Sequence, residues 1–263
     1  MWSQQRGDDP WDRQHVTDAL ARASRGPGTR QVPAALCQAT LRLLPVTGVS
    51  VSLGAGNSVR ALWCASDETA ARIAEAQYTL GDGPCRAALE LAAPVLAADL
   101  TGGPDARRWP VFSQAAVELG VRAVFSLPLG TSGQAIGTLD LYRDAVGALS
   151  ERELRIALLV RDAVTYAVLN QLPGAEDNGR SANGGVASWV EAAAADHAEV
   201  HQAVGMIMVQ LGIDPRQALD RMRARAFAQG RTVTEVARDV LTRSVRFHPD
   251  EDTRRRGTDE EGR

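Results

Sequence analysis

Two hydrophobic periodicities divide this chain. Between residues 28 and 172, apolar–polar alternations of period two interrupt helical stripes, whereas from 186 to 247 the stripe is helical throughout. Val49-Ser-Val-Ser-Leu53 and Val59-Arg-Ala-Leu-Trp63 alternate around Gly54-Ala-Gly56-Asn57 and predict a hairpin. Val121–Leu129 and Ala135–Tyr142 predict a second hairpin around Thr131-Ser-Gly133, and Pro94–Ala98 a short strand. Helices are predicted over 30–44 (burying Val32, Leu36, Leu41 and Leu44), over about 67–77 from Asp67, and from Trp109-Pro110 to near Gly120. A longer helix is predicted from Ser150, with Glu153 at the third position to close its cap, to about Leu172. Hairpins framed by helices predict an antiparallel sheet with helical cover, an α+β arrangement.

The C-terminal stripe predicts three helices. The first begins near Val186 or Ala187 and carries a seam of Val190, Ala193, His197, Val200, Val204, Ile207 and Leu211, ended by Gly212. Asp214 caps the second, with Pro215 at the first helical position, Gln217 reaching back, and Ala218, Leu219, Met222, Ala226 and Phe227 inside. After Gly230, Thr232 caps the third with Glu235, and Val233, Val236, Ala237, Val240, Leu241 and Val245 form its inner face. The seam is longer than one three-helix core needs. The helix over 150–171 carries a similar stripe of Leu154, Leu158, Val164 and Leu169, so a homodimer is expected.

Length and composition refine this picture. A chain of 263 residues holds about two domains. The boundaries expected are a partly disordered extension over 1–27, an α+β domain over 28–172, a flexible Pro/Gly/Asn/Ser linker over 173–185, an all-α domain over 186–247 and a charged disordered tail over 248–263. No apolar run is long enough for a membrane span, and MWSQQRGDDPWDRQ lacks the apolar core of a signal peptide, so a cytoplasmic protein is expected. Cys37, Cys64 and Cys85 are widely spaced without a CxxC, which argues against a disulfide framework or a zinc site. Arginine carries all the positive side-chain charge. The second and third helices concentrate it: Arg216, Arg221, Arg223, Arg225, Arg231, Arg238, Arg243 and Arg246 stand against Asp214, Asp220, Glu235 and Asp239, in a chain of net charge −3. That asymmetry points to a polyanionic partner.

The helical stretch has a specific signature: Gln202-Ala203-x-Gly205-Met206-Ile207-Met208, then Pro215-x-x-Ala218-Leu219, Met222-Arg223-x-x-Ala226 and Val236-Ala237. It resembles the ANTAR domain of bacterial transcription antitermination regulators. One departure is Val204, where the family commonly has lysine; here that position lies on the apolar seam. The resemblance implies binding of paired RNA hairpins in a nascent transcript, with Gln202, Ala203, Gly205, Arg216, Arg223 and Arg231 as the candidate RNA contacts. Arginine suits that role through stacking and bidentate phosphate contacts.

The front domain carries Leu80-Gly-Asp-Gly-Pro-Cys85, Arg108-Trp109-Pro110-x-Phe112, Ser126-Leu-Pro-Leu129 and Gly137-Thr-Leu-Asp-Leu141. In that order they resemble a GAF domain, a sensor module that often holds a small ligand between its sheet and the covering helices. The pocket is then expected against alternate residues of Val121–Leu129 and Ala135–Leu141, with Gly81–Cys85 and its following helix as lid. Trp63, Gly83, Cys85, Trp109 and Phe125 are the candidate pocket residues.

Enzymatic chemistry finds no support. Gly81-Asp-Gly83-Pro-Cys85 lacks the Lys-Ser/Thr of a phosphate loop, and Pro84 reads as the start of a helix. His197 and His201 stand four apart, but Glu199 is out of register for a metalloprotease motif. No catalytic triad or dinucleotide fingerprint is present, so a non-enzyme without metal or cofactor is expected. The reading is a sensor-coupled RNA-binding antitermination regulator. The alternatives are a DNA-binding transcription factor and a signalling scaffold acting by protein–protein contact.

Overall fold

The computed structural model describes residues 10–24, 32–55, 58–131, 134–170 and 198–248. The chain divides into two compact units, one built on a β-sheet and one on helices. The first contains α1 (Pro10–Ser24), α2 (Val32–Leu43), β1 (Gly48–Ala55), β2 (Ser58–Ala65), α3 (Glu68–Leu80), α4 (Pro84–Leu91), β3 (Val95–Ala97), α5 (Gly103–Arg108), α6 (Pro110–Glu118), β4 (Ala123–Thr131), β5 (Gln134–Arg143) and α7 (Glu151–Asn170). Its five strands run in the order β2-β1-β5-β4-β3, every pair antiparallel. The α+β arrangement and both hairpins are therefore as the periodicity predicts.

Alternation along the strands gives the sheet two unlike faces. Val49, Val51 and Leu53 of β1, Phe125, Leu127 and Leu129 of β4, and Leu139 and Leu141 of β5 share one face. They pack with Val16 and Leu20 of α1, Leu36 and Ala39 of α2, and Val160 and Val164 of α7 in one apolar core. Burial of each large aliphatic side chain there contributes about 1.5–3 kcal/mol. Gly137 of β5 stands opposite Leu53, where a Cβ would collide with the carbonyl oxygen of Ser52. The close approach of β1 and β5 therefore requires glycine.

The α7 cap forms as expected: the Ser150 amide donates to Glu153 Oε2 at 2.6 Å, and the Glu153 amide to Ser150 Oγ at 3.2 Å. The buried stripe of α7 differs from the expected one. Ile156, Ala157, Val160, Val164 and Val168 are buried against the sheet, while Leu154, Leu158 and Leu169 are half-buried.

Three further features depart from expectation. Residues 10–24 form a helix inside what reads as a partly disordered extension, and Val16 and Leu20, each 3% exposed, anchor it in the core. Gly103–Arg108 adds a helix just before that of Pro110–Glu118. Cys37 and Cys64 are joined by a disulfide, where their spacing argues against one. Packing of α2 on the sheet brings them together, a contact that spacing along the chain cannot reveal. Cys85 is a free, buried thiol.

The second unit contains α8 (Ala198–Leu211), α9 (Pro215–Ala228) and α10 (Val233–Leu241). Both expected capping boxes form. The Gln217 amide donates to Asp214 Oδ1 at 2.9 Å, and the Glu235 amide donates to Thr232 Oγ1 at 3.2 Å while Glu235 Oε2 accepts from the Thr232 amide at 2.8 Å. Val200, Ala203, Val204 and Ile207 of α8, Ala218, Met222 and Ala226 of α9 and Val233, Val236, Ala237 and Val240 of α10 are the buried apolar side chains of this bundle. Much of the seam predicted for a dimer is thus consumed within this bundle. Phe227 departs from its expected inner position and is 59% exposed.

No helix among the described residues is long and apolar enough to cross a membrane. The tips of both hairpins, the linker at 173–185, the predicted start of the C-terminal bundle (including Val190, Ala193 and His197) and the tail beyond 248 lie outside the described residues.

Candidate functional site

The second face of the sheet carries a patch of polar side chains that is nevertheless buried. Ser50 and Ser52 of β1, Ser126 of β4 and Thr138 and Asp140 of β5 are all at most 3% exposed. They occupy the positions that alternate with the apolar core, where an antiparallel sheet ordinarily meets water. Ser126 faces Asp140 directly across the β4–β5 pair, and Ser52 faces Thr138 across β1–β5.

Helix α4 packs against β3, β4 and β5 and is held in place by an unusual start. Gly83, at φ +127°, precedes Pro84, and a Cβ at Gly83 would lie 2.8 Å from Gln77 Oε1. Glycine lets the Gln77 side chain reach in and accept the Cys85 amide at 2.8 Å. The Cys85 thiol in turn lies beside the Thr138 hydroxyl and the Asp140 carboxylate. Gln77, Cys85, Ser126, Thr138 and Asp140 therefore form one buried cluster from α3, α4, β4 and β5.

Its electrostatics are set by desolvation. Burial pushes the Asp140 carboxyl up to about 6, while the nearby Ser126 and Thr138 hydroxyls pull it back. Thr138 Oγ1 donates to Asp140 Oδ2 at 3.0 Å. The other oxygen, Oδ1, accepts no hydrogen bond, and Ser126 Oγ, although close to the carboxylate, has no partner of good geometry. Gln77 Nε2 is also buried without a partner. Burial first, and then the charge of Asp140, raise the Cys85 thiol well above its ordinary value, so it is neutral at physiological pH. At one edge of this face, Tyr142 Oη donates to Asp67 Oδ1 at 2.9 Å, and Asp67 also caps α3 by accepting the Ala70 amide at 2.8 Å.

Of the pocket residues expected from the sequence, Gly83 and Cys85 belong to this cluster. Phe125 does not: it is fully buried on the opposite, apolar face. Strand alternation decides this, since Phe125 and Ser126 must point to opposite sides. Trp63, beside an irregularity in the β1–β2 register, packs half-buried against that same apolar core. Trp109 is 4% exposed at the start of α6, under the Arg108 guanidinium at 4.5 Å. Gln77, Thr138 and Asp140 were not singled out as pocket residues, although an aspartate between Leu139 and Leu141 is the kind of interruption that marks a site. Among the described residues no group of acidic, histidine or cysteine side chains could hold a metal ion.

In the helical unit, α8 presents His201, Gln202, Gly205 and Val209 outward at helical spacing, Val209 being 87% exposed. A Cβ at Gly205 would meet nothing within 4 Å, so this glycine is not required by packing inside the bundle. Ala203 is fully buried and offers RNA no surface, which corrects its place among the candidate contacts. Arg216 is exposed in the first turn of α9. Arg223 pairs with Asp220 at 3.4 Å. Arg231 is engaged in holding the bundle: it binds Asp239 at 2.6 Å and the Glu235 carbonyl at 3.2 Å. Arg238 ties α10 to α8 through Glu199 at 2.7 Å. Beyond α10 the described residues 242–248 are not helical. The Phe247 amide donates to Gln210 Oε1 at 2.9 Å, and the Arg225 guanidinium covers the Phe247 ring at 5.6 Å.

Known proteins place these two units. The sequence profile of the ANTAR domain matches residues 190–241, and that of the GAF domain matches residues 30–168. No curated protein matches the chain. Among solved structures, the GAF domain of a phosphoenolpyruvate-protein phosphotransferase from Coxiella burnetii is similar at 14% identity and a TM-score of 0.46, covering 62% of this chain and 96% of that one. Free methionine-R-sulfoxide reductase from Neisseria meningitidis, in complex with its substrate, is similar at 14% identity and a TM-score of 0.42, covering 64% of this chain and 93% of that one. With more than half its length matched by the GAF profile, and a separate ANTAR match after it, the chain belongs to the GAF domain family and carries an ANTAR domain on its C-terminal side.

Proposed function

We propose that this chain is a cytoplasmic, non-enzymatic regulator that binds hairpins in nascent mRNA and prevents transcription termination, under the control of a small ligand sensed by its GAF domain. The observation that carries the reading is the ANTAR match over 190–241, on a bundle whose α8 shows Gln202 and Gly205 to solvent. An open glycine on a helix surface admits a nucleic-acid backbone closely, and α9 of the same bundle contributes the positive charge of Arg216 and Arg223. A helix-turn-helix reader of DNA needs a recognition helix after the helix it resembles; α10 is followed instead by the non-helical residues 242–248.

The sensor half of the reading is supported by the buried polar face. A site that leaves Gln77 Nε2 and Asp140 Oδ1 unpaired is poised for a molecule that pairs them. Ligand control requires that the ligand bind the RNA-competent and RNA-incompetent states with different affinity. We place the active species as a homodimer: Val209 on α8 and Tyr166 on α7, 87% and 69% exposed, offer surface to a second copy, and two linked sites raise the effective concentration on a two-hairpin RNA. The experiment is crosslinking in cells followed by sequencing of the recovered RNA. Enrichment of tandem hairpins upstream of terminators is expected. Recovery of no RNA above background overturns the reading.

A further inference from the structure

The buried cluster between α4 and the sheet is unbalanced in a way that specifies its ligand. We propose that the GAF domain binds a small organic cation, a protonated amine or amidine that docks on Asp140 and carries a hydrogen-bond acceptor beside its charge for Gln77. The proposal rests on the reading of this domain as a ligand sensor and names the chemical class sensed.

Four observations lead to it. Asp140 is 3% exposed, and no ion pair with an arginine or histidine reaches it among the described residues. An unpaired buried carboxylate is among the least favourable groups a protein interior can hold, so a cation supplied from outside has much to gain there. Only one carboxylate oxygen is occupied, by Thr138 Oγ1 at 3.0 Å, which fixes the plane of the group and leaves Oδ1 free as an acceptor. Gln77 is fixed the opposite way round: its oxygen accepts the Cys85 amide, which leaves Nε2 as a free donor. Ser126 Oγ lies between donor and acceptor roles next to the carboxylate and can serve either.

The unpaired set is thus one anionic acceptor, one neutral donor and one hydroxyl. A carboxylate or phosphate ligand would meet Asp140 as a like charge. A bare metal ion would find too few donors: among the described residues there is no cluster of three ligating side chains, and the one thiol nearby, Cys85, is held protonated. A nitrogen cation forms a charge-assisted hydrogen bond to Oδ1, the strong kind in a site closed to water.

The test is a thermal-shift and calorimetric panel on the full chain at pH 7.5. It uses ethylammonium, 2-hydroxyethylammonium, acetamidinium and glycinamide as chlorides, with acetamide, ethanol and sodium acetate as neutral and anionic counterparts, each at 10 mM. Saturable binding concentrated among the cations is expected, at least tenfold tighter than their neutral counterparts and at least tenfold weaker in Asp140→Asn. If Asp140→Asn does not fold, the readout becomes a pH titration of the Asp140 carboxyl 13C shift in the unsubstituted protein, whose midpoint must fall below its cation-free value of about 6 when the cation is added. Preference for acetate or acetamide, or cation binding unchanged by Asp140→Asn, overturns the cation class and leaves the sensor reading standing. No binding by any member overturns both.

Discussion

The two units of this chain treat polar groups in opposite ways. In the helical bundle, polar side chains at helix ends and on the surface pair with one another: Asp214 with Gln217, Thr232 with Glu235, Arg231 with Asp239, Arg238 with Glu199; among the described residues of the bundle, Arg225 Nε is the buried side-chain atom left without a partner. In the sheet unit, polar side chains gather on one face beneath α4, and three atoms there, on Gln77, Ser126 and Asp140, are buried with no partner. Pairing makes the bundle a finished surface, suited to a large partner that approaches from outside. Unpaired burial makes the sheet face an unfinished interior, which a small partner completes.

The largest effect that sharpens this contrast concerns the apolar face. Phe125→Ala empties a fully buried position behind the site and should lower stability by about 3–5 kcal/mol, read by denaturant unfolding. A loss under about 1 kcal/mol would mean that Phe125 lines an open pocket, as the sequence suggests, and not the core.

The next effect isolates Asp140. Its carboxyl stands at about 6 when folded, against an ordinary 3.8. A folded value above the unfolded one gives stability that is full below about pH 4 and is lost as pH rises through 6. The stability of the unsubstituted protein minus that of Asp140→Asn should therefore fall by roughly 2 kcal/mol between pH 4 and 7. Taking the difference removes the opposite trend of carboxylates such as Glu235, which the Thr232 amide holds below their ordinary range. A difference that stays flat with pH would show Asp140 to be solvated or paired, and the contrast between the units would fail.

In the bundle, the expected effects are smaller because the caps and ion pairs lie at its surface. Asp214→Ala removes a capping box and should cost about 1 kcal/mol, with no dependence on small ligands, by thermal unfolding of the full chain. Gly205→Ala should stabilise α8 by about 0.5–1 kcal/mol, because a Cβ there meets open space. If the glycine serves the approach of RNA, the same change weakens RNA binding. Stabilisation with unchanged RNA affinity would place the contact surface elsewhere.

Local chemistry made most of this architecture readable. All three capping boxes and both hairpins follow from residue type and spacing, because caps and tight turns are determined within a few residues. What was not readable depends on contacts far apart in the chain. Helix α1 offers Val16 and Leu20 as its large buried aliphatic residues, too faint a stripe to announce itself, and it is stabilised by the core it joins. The Cys37–Cys64 bond depends on how α2 lies on the sheet. Aromatic character drew attention to Trp63 and Phe125, but strand parity points Phe125 away from the site, and the binding chemistry falls to Gln77, Ser126 and Asp140. Their importance lies in what they lack, and a missing partner is visible only in three dimensions. In the bundle, Arg231 shows the converse: its charge suggests RNA, and its 2.6 Å pair with Asp239 assigns it to holding α10.

The measurement that tests the account most directly is a titration of the full chain with a two-hairpin RNA and with a DNA duplex of matched length, across a range of salt. The account predicts saturable RNA binding, weakened by about 1–3 kcal/mol in Arg223→Ala and by rising salt, with the duplex bound more weakly throughout. Equal or tighter binding of the DNA duplex, or RNA binding indifferent to both salt and the basic face of α9, would contradict it.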